Sequence, residues 1–161
     1  MKKLIYIIAI VGVFIDQISK ILVDNLMNFG ENIFIIPDLF SFRYIRNTGA
    51  AWGMFSNNTI VLAVISVVFL YFVIKYVNET KDMNKLNIFS FGFIIGGIIG
   101  NLIDRLFRSF VIDFLSFNIF GYNFPVFNIA DILIVVAVIL LIIDSFVGGD
   151  RVDSRRRKEK N

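Results

Sequence analysis

Apolar residues fall along this chain in four long runs, at about Leu4–Val23, Thr59–Val77, Leu86–Leu102 and Ile129–Phe146. Crossing a hydrocarbon core of about 30 Å takes about 20 helical residues, and each run comes close to that length. The pattern predicts four transmembrane helices in one domain spanning residues 1–161. Between the first two runs, and again between the last two, lie outer segments at about Asn25–Asn58 and Asp104–Asn128, too long and too apolar for plain connectors. In "LFSFRYIRN", Phe40, Phe42 and Tyr44 alternate with Ser41 and Arg43, the period of a strand. The segment "SFVIDFLSFNIFGYNFPVF" is dense in aromatics and turns at Gly-Tyr-Asn-Phe-Pro. The expected fold is therefore a membrane all-α core carrying a small amphipathic sheet on the membrane surface.

Composition agrees. Of the 161 residues 57% are hydrophobic, with mean hydropathy +0.77, against about 45–50% apolar in soluble domains. Lys2 and Lys3 before the first run would suit a signal peptide. No small-x-small cleavage site follows, however, and the run continues through Asp16 and Lys20, so it is expected to be a retained helix. Eleven of the 16 basic residues fall on one side of the spans: Lys2, Lys3, Lys75, Lys81, Lys85, Arg151, Arg155, Arg156, Arg157, Lys158 and Lys160. By the positive-inside rule that side is cytoplasmic, so both termini are cytoplasmic and the two apolar outer segments face outward. The basic tail, about 150–161, suits orientation or anionic lipid better than a nucleic-acid partner. Cysteine and histidine are absent, which removes disulfides, thiolate nucleophiles, histidine bases and the usual zinc sites.

What remains for chemistry is a set of polar residues in costly places, since an ionisable group within a span costs at least about 2.5–3.5 kcal/mol on insertion scales. Asp16 and Lys20 are one turn apart on the first helix, the spacing of an intrahelical ion pair. Asn101, Asp104 and Arg105 share a face of the third helix, after "GFIIGGIIG", whose glycines allow close helix packing. They act either as interhelical polar glue or, through Arg105, as a grip on a carbonyl or head group. Asn128 and Asp131 open the fourth helix with the spacing of an N-cap and its capping-box partner. The alternative turns on Asp113, which lies on the same outer side, with a chain reversal at Gly121 and Pro125 between the two carboxylates. If Asp113 and Asp131 meet, one keeps a proton, the arrangement of an aspartic-protease pair.

"DQISK" (Asp16–Lys20), "RNTGAAWG" (Arg46–Gly53), "GNLIDR" (Gly100–Arg105), "VIDF" (Val111–Phe114) and "FNIAD" (Phe127–Asp131) occur in this order, interleaved with four spans. In this the chain resembles the bacterial lipoprotein signal peptidase (signal peptidase II) family over nearly its whole length, the basic tail excepted. The resemblance implies a four-helix aspartic endopeptidase of the bacterial cytoplasmic membrane with a small extracytoplasmic β-cradle. Its substrate class would be a diacylglyceryl-modified prolipoprotein, cut just before the modified cysteine. Asp113 and Asp131 match the catalytic pair. Asn47, Asn101, Arg105 and Asn128 match polar residues that line the site and hold substrate. Asp16, Lys20, Asp104 and the Gly49–Ala50–Ala51 turn match supporting positions, while Trp52 has no specific role. The resemblance implies no cofactor and no metal, and one site on four spans requires no partner subunit, so a monomer is expected in the bilayer. Helix-terminus electrostatics would favour charge on Asp131 and the proton on Asp113.

Two other classes compete. A small proton-coupled transporter would also have few spans and intramembrane acids, although its acids would sit near the midplane. A hard-metal enzyme would use Asp113, Asp131 and Asn128 as oxygen ligands for Mg²⁺ or Ca²⁺.

Overall fold

The computed structural model describes residues 2–49 and 58–159, from 147 onward as backbone only. Ala50, Ala51 and Trp52 lie outside the described residues, as do the side chains of the basic tail. Among the described residues, four helices are long and apolar enough to cross a membrane: α1 (Lys2–Leu26), α2 (Thr59–Glu79), α3 (Lys85–Phe107) and α4 (Ile129–Glu159). The chain is a multi-pass membrane protein. All four helices overrun the expected spans, α2 by only two residues, to Glu79. α1 continues to Leu26, α3 carries Asp104 and Arg105 to Phe107 instead of ending at Leu102, and α4 continues through the basic tail to Glu159. Apolar runs end where the side chains become polar, but Asp, Arg, Lys and Glu still continue a helix.

α3 is the centre of the bundle, and its glycines explain why. A Cβ on Gly96 would lie 3.0 Å from the Ala9 carbonyl oxygen of α1, and one on Gly97 would lie 2.5 Å from the Ala130 carbonyl oxygen of α4. One helix face thus meets two neighbours at backbone distance. Close packing of this kind replaces the hydrophobic drive that lipid cannot supply. Ile5, Ala9, Val77, Ile95, Ile98 and Ala137 fill the resulting core, while Ile10, Phe14, Val68, Phe72 and Val138 remain exposed on the outer faces, as spanning helices require.

At one end of the bundle sits an antiparallel sheet of four described strands in the order β1 (Asn32–Ile36), β2 (Phe40–Asn47), β3 (Val111–Ile119), β4 (Tyr122–Asn123). Pro37 and Asp38 form the β1–β2 turn, closed by Leu39 N–H donating to the Ile36 carbonyl at 3.2 Å. Phe120 and Gly121 form the β3–β4 turn, both with positive φ, 53° and 81°, the signature of a two-residue hairpin. The turn falls one residue earlier than the Gly-Tyr-Asn-Phe-Pro string suggests. β2 carries one extra residue between Phe42 and Ile45. The expected strict alternation therefore fails at this bulge. Ser41 and Tyr44, three apart, are the buried residues, and Arg43 is exposed.

The sheet is fastened to α1 by an uncommon cluster. Tyr44 is 1% exposed; its hydroxyl donates to Asp24 and accepts from Arg46 Nε at 3.0 Å. The Arg46 guanidinium lies over three rings, 5.3 Å from Phe29, 5.5 Å from Tyr44 and 5.0 Å from Phe110, a cation–π arrangement. Burial and the bond to Asp24 push the Tyr44 phenol up from its ordinary value.

Candidate functional site

The site forms where β3, the returning hairpin and the first turn of α4 converge on α3. The hairpin brings Phe127 back beside Leu115: Leu115 N–H donates to the Phe127 carbonyl at 2.8 Å, and Phe127 N–H returns the bond at 3.1 Å. The next residue, Asn128, caps α4 as its spacing predicts. Its side-chain oxygen accepts from Asp131 N–H at 3.1 Å, and Asp131 Oδ2 accepts from Asn128 N–H at 3.1 Å. This is the reciprocal capping box, and it fixes Asp131 at the start of the helix.

The cap and the carboxylate cluster coexist. Asn128 is fully buried, and its amide donates to Asp113 Oδ1 at 2.7 Å and to Asn101 Oδ1 at 3.1 Å. Asn47 donates to Asp113 Oδ2 at 2.8 Å, and Asn101 donates to Asp131 Oδ1 at 2.8 Å. All four oxygens of the two carboxylates therefore accept an N–H. A single asparagine bridges Asp113 and Asp131, which are 18 residues apart in sequence. Among the described residues no group of three or more His, Cys, Asp or Glu side chains is placed to hold a metal ion.

The two acids differ in surroundings. Asp113 is 3% exposed, whereas Asp131 is only half-buried at the helix start. Burial first, and the neighbouring Asp131 carboxylate second, push the Asp113 carboxyl up to about 7, against the opposing pull of its two amide donors. Loss of solvation penalises the charged form, and a like charge adds to that penalty.

Behind this pair lies a second, more deeply buried cluster. Lys20 and Asp16 form the expected ion pair at 2.8 Å, and Lys20 also reaches Asp104 at 3.1 Å, with all three side chains 0% exposed. Lys20 further donates to Asn101 Oδ1 at 3.0 Å. Asp16 accepts from Ala130 N–H at 2.9 Å, and Asp104 from Ile112 N–H at 3.1 Å. The supporting residues thus tie α1 to the first turn of α4 and α3 to the start of β3. Gly49 N–H donates to Asn47 Oδ1 at 2.9 Å, which turns the Asn47 amide group toward Asp113.

Arg105 lines the same cavity as the two carboxylates, and its Nε is buried with no hydrogen-bond partner among the described residues. Two members escaped the sequence reading. Gln17 Nε2 lies within bonding reach of Asp16, the Gly100 carbonyl and Asp104 at 3.0–3.2 Å, and Arg108 pairs with Asp104. The signals were present: a glutamine inside an apolar helix, and an arginine one turn beyond a buried acid.

The carboxylate pair opens into a cavity of about 1080 Å³. Asn47, Asn101, Arg105, Asp113 and Asp131 form its polar end. Ile65 and Phe69 of α2 and Ile132, Val135 and Val136 of α4 form its apolar walls, with Phe124 and Phe127 at the hairpin. A cavity of this volume, apolar with a few convergent polar groups, has the character of a ligand site.

A sequence profile described as signal peptidase (SPase) II matches residues 8–147. A bacterial membrane enzyme structure determined by the in meso method is similar at 32% identity, covering 90% of this chain and 88% of that one, with a TM-score of 0.83. A second structure of that description is similar at 34% identity, covering 85% and 88%, with a TM-score of 0.77.

Proposed function

The chain belongs to the signal peptidase II family, and from that premise we propose that it is an aspartic endopeptidase. It removes the signal peptide from diacylglyceryl-modified prolipoproteins by cutting before the modified cysteine. The observation that carries this reading is the Asn128 side chain bonded at once to Asp113 and to the Asp131 cap, with both acids at the polar end of an apolar cavity.

The reaction needs one base and one acid. Ionised Asp131, at the helix N-terminus where negative charge is favoured, takes a proton from water as the water oxygen attacks the scissile carbonyl carbon. Protonated Asp113 gives its proton to the carbonyl oxygen. The gem-diol then collapses: the C–N bond breaks, the leaving nitrogen takes the proton held by Asp131, and a diol hydroxyl returns a proton to Asp113. Arg105 Nε, which has no partner among the described residues, is a donor for a substrate carbonyl or head group, while Asn47 and Asn101 hold the two acids in place. The acyl chains lie along Ile65, Phe69, Val135 and Val136, where they exchange bilayer for a dry apolar wall. The enzyme acts as a monomer in the bacterial cytoplasmic membrane, with both termini cytoplasmic and the sheet and acids at the extracytoplasmic face.

The test is a gel-shift assay on purified protein with a diacylglyceryl-modified prolipoprotein in the presence of EDTA. Wild type is expected to cleave, whereas Asp113→Asn and Asp131→Asn insert and accumulate without cleaving. Near-wild-type turnover by either variant overturns the pair. No cleavage by well-folded wild type returns Asn128 and Asp131 to a purely structural cap and favours a transporter.

A further inference from the structure

We infer that Lys20 is a positioning residue whose buried ammonium, acting through Asn101, sets at one the number of protons held by Asp113 and Asp131.

The geometry starts from a matched count. The Lys20 ammonium has three N–H donors and three acceptors around it: Asp16 Oδ2 at 2.8 Å, Asn101 Oδ1 at 3.0 Å and Asp104 Oδ2 at 3.1 Å. A cation facing Asn101 Oδ1 forces the other end of that amide, its NH₂, toward Asp131 Oδ1. From the opposite side, the Asp131 N–H fixes the Asn128 oxygen and so sends the Asn128 NH₂ toward Asp113 and Asn101. Both amides are therefore locked, one by a lysine and one by a helix terminus, with their donors aimed at the acids.

The charges then decide the proton count. α1 contributes Asp16 and Lys20; α3 contributes Asp104, Arg105 and Arg108; β3 contributes Asp113 and α4 contributes Asp131. β2 contributes the uncharged Asn47, its Arg46 being engaged with Asp24 and the rings. α2 adds no charged side chain here, because its Lys75 and Glu79 pair at its far end. The cluster thus holds four carboxyl groups and three cations. It is neutral when one carboxyl keeps its proton, and a net charge in such a setting is costly. Asp113, the more buried member of the pair, is where that proton belongs.

Removing the lysine charge by Lys20→Met leaves the cluster one negative charge in excess. The pair then holds its first proton to higher pH and takes up a second more readily, leaving no base. Across one bridging amide, bonded at 3.0 Å to Lys20 and at 2.8 Å to Asp131, and with an effective dielectric near 20, the lost attraction corresponds to a titration shift of about one to two pH units. Asp16→Asn shifts the balance the other way. The double variant Lys20→Met/Asp16→Asn is charge-matched and returns to the wild-type balance.

The kinetic consequence rests on the peptidase reading above, but the proton count does not. The experiment follows the infrared C=O stretch of the protonated carboxyl with pH, assigned by its loss in Asp113→Asn, and the pH profile of prolipoprotein cleavage beside it. Expected are a band and an acid limb one to two units higher in Lys20→Met, lower in Asp16→Asn, and restored in the double variant. A single variant titrating where wild type does, or a double variant that stays displaced, overturns the inference. If neither single variant accumulates, the double variant decides: wild-type titration supports the charge role, and failure to accumulate overturns it in favour of shape. A titrating band without wild-type cleavage refutes the peptidase reading alone; cleavage with an unshifted band refutes the role of Lys20 alone.

Discussion

Asn128→Asp separates the two tasks that one side chain performs. As a helix cap, aspartate equals asparagine to within a few tenths of a kcal/mol, and its oxygen still accepts from Asp131 N–H, now 3.1 Å from the Asn128 oxygen. As a bridge it fails. The NH₂ that donates to Asp113 at 2.7 Å and to Asn101 at 3.1 Å becomes an oxygen facing two oxygens. A hydrogen bond to a charged group is worth about 1.5–3 kcal/mol, which corresponds to roughly 10- to 150-fold in rate if lost at the transition state. The new carboxyl, within bonding range of Asp113, also competes for its proton. Turnover is therefore expected to fall at least about tenfold and up to a few hundredfold, with a thermal midpoint a few degrees below wild type. Asn128→Ala removes the cap as well, which costs about 1 kcal/mol more, and is expected to lower stability further. The assay is prolipoprotein cleavage beside thermal unfolding in detergent for both variants. Turnover by Asn128→Asp within about twofold of wild type would refute the bridging role, leaving only the cap.

Stability should also depend on pH through Asp113. Its carboxyl is held up to about 7 in the folded protein, against about 3.9 in an unfolded chain. As pH rises, the unfolded chain loses this proton first, so the folded state binds more protons in the window and stability falls from about pH 4 to pH 7, by up to about 4 kcal/mol. Unfolding midpoints measured across that range should slope downward in wild type and lose that component in Asp113→Asn; an identical slope in both would contradict the buried, proton-holding role. In the bundle, Gly97→Ala would place a Cβ 2.5 Å from the Ala130 carbonyl oxygen and 2.6 Å from Ile134 Cγ1. Overpacking of this kind costs about 1–3 kcal/mol, and because α4 must move with its Asp131, both the unfolding midpoint and cleavage should drop; an unchanged midpoint would show that α3 and α4 yield freely.

The helices were legible because twenty apolar residues in succession have few other uses, and the Asn128–Asp131 cap because its three-residue spacing is local. The meeting of Asp113 with Asp131 was legible only as a possibility, since it depends on a two-residue turn at Phe120–Gly121 and on Asn128 serving two partners. The β2 bulge was hidden because alternation at Phe40, Phe42 and Tyr44 reads as an unbroken strand; the extra residue shows only against the register of β3. Gln17 and Arg108 were missed for a related reason. Their partners lie on other helices or emerge only when Asp104 is buried, so a glutamine in an apolar helix and an arginine one turn past Asp104 stand out in the sequence without naming what they bond.

The wall formed by α2 has a mechanical consequence. Its hydrogen bonds to the rest of the protein, among the described residues, are at its ends: Thr59 to the carbonyls of Thr48 and Ser109, and Asn78 with Lys2 and Tyr6. Between those points Ser66 bonds only to Leu62 of its own helix, and the cavity-lining Ile65 and Phe69 are apolar. α1, α3 and α4, by contrast, are joined by directional bonds among Asp16, Gln17 and Lys20 of α1, Gly100, Asn101 and Asp104 of α3, and Ala130 and Asp131 of α4. Sliding an apolar surface forfeits little, whereas displacing a buried ion pair forfeits several bonds at once. The site is thus built as a bonded jaw facing an apolar one: directional bonds hold the acids at their spacing, whereas packing alone holds the middle of the opposite wall.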